Sequence, residues 1–174
     1  MSWISSIRAS GRHLDSLEDL FMEEFKEVCD GEDQLIEALP KIAQAASTPQ
    51  LKTIFEQHLE ETRRQRTRLD EVFSRLGKEA DTQTSLSMKA LLEDGEVLMK
   101  AQGDPKVKDA AMIAAAQRVE HYEMACYGTL RSWAQQLGWT DVADILQGIL
   151  DEEKKADKQL TDEALSEVNV MARR

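Results

Sequence analysis

Glu32, Glu61, Glu120 and Glu153 each fall in the middle of a helix-like segment, on the face that the apolar residues of that segment also occupy. A carboxylate on a buried face is costly unless it is paired or holds a cation. One such residue from each of four helices is how helical bundles hold a two-metal centre. Two more carboxylates extend the set: Glu120-x-x-Glu123 and Glu153-x-x-x-Asp157 place pairs on one helix face. Uncompensated, such pairs repel, and a divalent cation between them turns the repulsion into binding. Carboxylate-rich sites suit hard or borderline cations such as Fe(II) and Mn(II). Any one of these glutamates taken alone has a plainer reading, a solvated residue at the edge of a stripe. Taken as a set, Glu32, Glu61, Glu120, Glu123, Glu153 and Asp157 are candidate ligands for one or two ions of iron, or alternatively manganese, per chain.

The elements that must position these residues are legible in the spacing. Phe21, Phe25, Val28, Glu32, Leu35, Leu39 and Ile42 recur at steps of three or four, which predicts a helix from about Ser16 to Ala46. Asp15 or Ser16 can cap its start, and Pro40 is expected to kink its last turns or begin a new one. Ser47-Thr48-Pro49 reads as a turn with a cap-plus-proline start, and a second helix runs to about Leu76, before Gly77. Its stripe is apolar at the ends and polar in the middle, where His58, Glu61 and Gln65 sit. A polar stretch leads to a short helix, about Leu86 to Ala101. Asp104-Pro105 then starts a third long helix, to about Leu137. Gly138-Trp139-Thr140 ends that helix and is expected to cap a fourth, from about Asp141 to Val168.

Two hairpins with tight turns, joined by a connection of 28 residues (77–104), form an all-α, ferritin-like, up-down-down-up four-helix bundle with an extra short helix in the crossover. Residues 1–15 read as an N-terminal arm and 16–170 as the bundle. Glu32 lies 15 residues before Ser47 and Glu61 lies 14 after it, so at about 1.5 Å per residue they reach nearly one height. The same count about Trp139 brings Glu153 level with Glu123, and Glu120 one turn further. His58 and Gln65 are candidates to support the ligands from behind, with a satisfied, partly buried histidine as the alternative for His58. His121 is rotated off the stripe, and His13 belongs to the arm. Tyr122 and Tyr127 read as core residues near the site. The alternative role is to hydrogen-bond a ligand or carry an electron.

Composition narrows the function classes. A chain of 174 residues with a net charge of -11 carries no basic footprint for nucleic acid. The arginines at 63, 64, 66 and 68 are flanked by acids and read as a salt-bridged, solvated face. No run of 18 apolar residues predicts a membrane span. The N-terminus lacks the apolar core of a signal peptide, and Trp3 and Ile4 in the arm are candidates to dock on a partner subunit. Cys29 and Cys126, without a CxxC, read as reduced thiols in a cytoplasmic protein.

The stretch from Ala110 to Leu130, containing Glu120-His121-Tyr122-Glu123, resembles the YciE/YciF family of bacterial stress-related, ferritin-like proteins. So do Gly31-Glu32-Asp33-Gln34-Leu35, His58-Leu59-Glu60-Glu61-Thr62 and Asp151-Glu152-Glu153-Lys154-Lys155-Ala156-Asp157. The resemblance runs from about Leu17 to Val168 and implies a bundle, often a homodimer, with a rubrerythrin-like carboxylate site. In such sites the third helix carries Glu-x-x-Glu and the fourth Glu-x-x-x-His. Glu120, Glu123 and Glu153 match, and Asp157 stands where the histidine would be. The second helix would carry Glu-x-x-His, whereas here Arg64 follows Glu61. Two functions follow as expectations. One is a metal-binding stress protein, possible as a ferroxidase or peroxidase-like oxidoreductase. The other is a non-catalytic structural or interaction protein with a degenerate site, which Arg63 or Arg64 reaching the glutamates would support. No P-loop, GxSxG elbow or Ser-His-Asp spacing points to a hydrolase or transferase.

Overall fold

The computed structural model describes residues 14–173. Helix α1 spans Leu17–Ala45, α2 Pro49–Arg75, α3 Leu86–Lys100, α4 Pro105–Gln136 and α5 Thr140–Glu163. A π-helical turn, Ala164–Val168, and a last short helix, α6 (Asn169–Ala172), continue from α5. The described residues contain no strand. Trp3, Ile4 and His13, assigned to the arm, lie outside them.

Local chemistry sets the helix ends. Ser16 Oγ accepts from Asp19 N at 3.0 Å, and Asp104 Oδ1 from Lys106 N at 2.8 Å, each satisfying a donor the helix leaves open. Proline opens both α2 and α4, where the missing N–H costs nothing. The start of α5 differs from expectation: Trp139 occupies the cap position without a side-chain cap bond. Its indole is used in the core instead, edge-on to Phe21 with ring centroids 5.2 Å apart. Helix α1 also runs on through Pro40 to Ala45 without a break. Only one turn follows the proline, which is exposed, so its missing N–H leaves a single carbonyl to solvent.

Helices α2 and α4 both end on a left-handed glycine, Gly77 at φ +63° and Gly138 at φ +76°. Beyond them, Lys78 N reaches back to Phe73 O at 3.0 Å and Trp139 N to Ala134 O at 2.9 Å. Gly138→Ala is expected to cost about 1 kcal/mol, because a Cβ is strained at that φ. A thermal melt should show the midpoint lower by a few degrees, and an unchanged midpoint would contradict this account of the turn.

The core divides into two apolar clusters. One joins the start of α1 (Phe21, Phe25) to the end of α2 (Leu69, Phe73), the end of α4 (Leu130, Ala134) and the start of α5 (Val142, Leu146). The other joins the end of α1 (Leu35, Leu39) to the start of α2 (Leu51, Phe55), the start of α4 (Met112, Ile113) and the end of α5 (Leu160). Each pairing of starts with ends fixes direction: α1 up, α2 down, α4 down, α5 up. The crossover, with α3 in it, therefore travels the length of the bundle. Helix α3 packs on α4 and α1 and buries one side chain, Met88. Asp109, buried in α4, pins the α1–α2 turn by accepting from Ser47 N at 2.8 Å and Ser47 Oγ at 2.7 Å.

Candidate metal centre

Between the two apolar clusters lies a polar layer. Glu32 of α1, His58, Thr62 and Gln65 of α2, Glu120 and Glu123 of α4, and Glu153 of α5 are all at most 7% exposed. Each helix contributes because its stripe turns polar in the middle: Val28 and Leu35 bracket Glu32, and Phe55 and Leu69 bracket His58 to Gln65. Apolar residues above and below keep water from the layer, so its polar atoms must be satisfied by one another or by something bound.

His58, Glu120, Glu123 and Glu153 form the tightest group: each offers a ligand atom, and these atoms all lie within 4.8 Å of one another. His58 Nε2 is 3.3 Å from Glu120 Oε1, without making a hydrogen bond. Glu32 borders the group, with its Oε1 accepting from the Tyr127 hydroxyl. Gln65 donates its amide to Glu153 Oε1 and also to Glu152 Oε2, the latter at 3.2 Å. After these bonds are made, Oε2 of Glu32, Glu120, Glu123 and Glu153 and both ring nitrogens of His58 remain without a hydrogen-bond partner.

The electrostatics follow from burial. Loss of water raises all four carboxyls, and the neighbouring carboxylates raise them further. Glu32 is pushed up to about 8, chiefly by burial and then by Glu153, with the Tyr127 hydrogen bond holding it back. Glu153 goes up to about 7; burial raises it, and hydrogen bonds with Glu120 and Gln65 lower it. Glu120 lies well above the ordinary range, raised by burial and then by Glu153. Burial lowers His58 to about 4, so its ring is neutral at pH 7 and one of its nitrogens is available as a donor to a metal.

Of the residues singled out in the sequence, the structure brings Glu120, Glu123 and Glu153 together and sets Glu32 against them. Glu61 and Asp157 are half-buried and outside the tight group. Asp157 Oδ1 accepts from Gln117 at 3.0 Å and lies 3.3 Å from His121 Nε2. Glu61 is raised by burial and by Glu152, while Lys155 and then Arg64 lower it. Arg63 pairs with Glu60 on the surface of its own helix, while Arg66 holds Asp33 and Asp70, and Arg68 holds Glu152. The residue that sequence reasoning placed behind the ligands is His58, which the structure puts among them. The signal was there: His58 shares the stripe with Glu61, a little less than one full turn away.

Tyr127 tests how the layer is held. It is fully buried, and its hydroxyl has Glu32 as partner. Tyr127→Phe is expected to destabilise the protein by about 1–3 kcal/mol, the cost of leaving a buried acceptor without its partner. Urea unfolding of the metal-free protein would measure it; no loss would mean that Glu32 does not depend on this bond.

Fold and layer together define a class: an all-α bundle of ferritin-like order whose core carries acids and a histidine where apolar residues would suffice. The chain belongs to the YciF family: the family described as "Domain of unknown function (DUF892)" matches residues 16–173. It is 40% identical over 161 residues to Protein YciF of Escherichia coli K12, covering 92% of this chain and 97% of that protein. The crystal structure of the E. coli stress protein YciF superposes with a TM-score of 0.86 at 39% identity, over 90% of this chain and 99% of that one. YcfI of Rhodopseudomonas palustris, called a putative structural protein, gives 0.84 at 37% identity, over 87% and 97%. A protein from Xanthomonas campestris shares the fold at 21% identity, with a TM-score of 0.69 over 91% of this chain and 98% of that one.

Proposed function

We propose that this protein is a stress-related, ferritin-like metal-binding protein that holds one or two iron or manganese ions in the polar layer. The stress role follows from the likeness to the E. coli protein. The observation that carries metal binding is the set of partnerless polar atoms in a buried layer: four carboxylate oxygens and the His58 ring, which offers one nitrogen as a ligand. Native proteins rarely leave such atoms unsatisfied, and these are the donor types that divalent iron and manganese take.

His58, Glu120, Glu123 and Glu153 would hold a first ion, and Glu32, with Glu61 and Asp157 nearer the edge, would serve a second. A redox-active ion bound there would supply electron transfer to oxygen or peroxide, the basis for Fe(II) oxidation. The chain's own contribution is positioning. Gln65 fixes the Glu153 carboxylate through one oxygen and leaves the other open, and Tyr127 does the same for Glu32. The two thiols are free, which fits a reducing, cytoplasmic setting, and no described helix is long and apolar enough to cross a membrane.

Mass spectrometry of protein purified without a metal-chelating tag, before and after anaerobic Fe(II) loading, tests the reading. About one or two ions per chain are expected, with an absorbance change when oxygen is added. Background metal after loading would favour the second reading, a structural protein with an inherited acidic core. That reading draws its support from the description of the R. palustris relative.

A further inference from the structure

Gln65 is buried in the polar layer, and its amide nitrogen carries two N–H groups. One goes to Glu153 Oε1 and the other to Glu152 Oε2, the latter at 3.2 Å. Together the two acceptors decide which way the amide faces: turned over, it would set its carbonyl oxygen against two carboxylates. With Glu153 alone, the second N–H would be left in a buried place without a partner, which is costly. Glu152, half-buried at the α2–α5 edge, is itself held, because the same Oε2 accepts from Arg68 Nη2. Gly148, one turn before Glu152 on α5, leaves room for the guanidinium: a Cβ there would stand 3.6 Å from Arg68 Nη1, and a longer side chain would take its place. Another ion pair, Arg75–Asp141 at 2.8 Å, also joins α2 to α5. Asp141 lies twelve residues before Glu153, about 18 Å along the helix, so that pair is remote from the layer.

We propose that Arg68 and Glu152 are positioning residues for the metal centre: they aim the Gln65 amide so that Glu153 Oε1 is occupied and Oε2 is left for the cation. This role rests on the metal-binding reading of the layer. Glu153 Oε2 has no hydrogen-bond partner, while Gln65 takes the other oxygen. Neither Arg68 nor Glu152 belongs to the group whose ligand atoms lie within 4.8 Å of one another, so each acts on the site through Gln65. Charge and positioning make opposite predictions for Arg68. As a bare charge beside an acidic layer, the guanidinium repels a cation, and removing it would tighten binding. As the clamp on Glu152, its removal loosens the glutamate and the amide behind it, and binding weakens.

The test is equilibrium dialysis of the full chain against Mn(II), and anaerobically against Fe(II), with metal per chain read by mass spectrometry. Arg68→Met keeps the apolar stem and removes the donors; it is expected to weaken binding about tenfold, the low end for a residue that supports a ligand. Arg68→Lys, which restores a donor and the charge, should recover most of that loss. Glu152→Ala should also weaken binding, and in its background Arg68→Met should cost nothing more, because the arginine acts through the glutamate. Arg75→Met, which breaks the remote α2–α5 pair, should leave the affinity unchanged, with far-ultraviolet spectra confirming the helices in every variant. Unchanged or tighter binding in folded Arg68→Met overturns the proposal, as does an equal loss in Arg75→Met or the same cost with and without Glu152. If Arg68→Met fails to fold, Arg68→Ala is read for the same sign. A wild-type chain that takes up neither metal overturns the metal-binding reading, and this role falls with it. Uptake by the wild type with Arg68→Met unchanged overturns this role alone.

Discussion

Replacing Glu120 and Glu153 together by alanine is expected to abolish stoichiometric metal uptake. The two residues come from α4 and α5 and supply two of the four donors whose ligand atoms lie within 4.8 Å of one another. What remains is His58, neutral, and Glu123, raised by burial and so inclined to keep its proton. Losing residues that merely support ligands typically costs about 10–100-fold in affinity, so losing two ligands should cost well over 100-fold. The bundle should survive, because the substitution also removes two acids that are costly to bury. The readout is metal per chain after anaerobic Fe(II) loading, with circular dichroism confirming the helices. Retained metal in a folded double variant would refute the assigned site. Glu61→Gln and Asp157→Asn sharpen the result. Both residues are half-buried and outside the tight group, so each should reduce loading by at most one ion. Loss of all metal in either would move the centre toward the α2–α5 edge.

The second large effect is a stability of the metal-free protein that falls as pH rises from 6.5 to 8. Glu32, Glu120, Glu123 and Glu153 all have folded-state values above the ordinary 4.5. Between that value and the raised one, the folded chain binds more protons than the unfolded chain, so stability declines with pH. Glu32 reaches about 8 and Glu153 about 7, which places the decline through neutrality. His58 has the opposite sign. Its value drops from 6.5 to about 4, so its contribution grows with pH over that interval and is complete above it. Above pH 6.5 little of the His58 contribution is left to gain, and the carboxylates dominate. A tenfold difference in proton affinity is worth about 1.4 kcal/mol, so Glu32 and Glu153 alone make the fall on the order of 2 kcal/mol. Exposed, paired acids such as Asp81, Asp141 and Asp151, held below their usual range, matter only in acid, where their ion pairs are lost. Urea melts at pH 6.5 and 8.0 in chelator would measure the slope. Bound cation should reverse it, since metal replaces the protons the layer otherwise needs. A flat or rising profile without metal would mean the layer is satisfied as it stands, and the case for a cation would fail.

The sequence by itself determined the helices, their order and their pairing. Periods of three and four residues, glycines at 77 and 138, and prolines at 49 and 105 are local signals, and local chemistry settles them. Connection lengths settled the topology: the two tight turns can join only antiparallel neighbours, whereas the long crossover can travel the length of the bundle between the two hairpins. Glu32, Glu120 and Glu153 were legible because each breaks an apolar stripe, and Glu123 because it follows Glu120 by three residues; Glu61, which breaks a stripe in the same way, is half-buried.

Tertiary structure decided what rotation and side-chain reach decide. Glu61 and His58 share a stripe, yet three residues leave about 60° between them, and only the packing of α2 against its neighbours shows that His58 faces inward. The proline at 40 and the uncapped start at Trp139 were settled by exposure and by core packing respectively, neither of which a local motif encodes. The bonds of Tyr127 to Glu32 and of Gln65 to Glu153 span 95 and 88 residues of chain. No spacing rule pairs residues so far apart; they meet because two apolar clusters, one at each end, leave a polar layer between them.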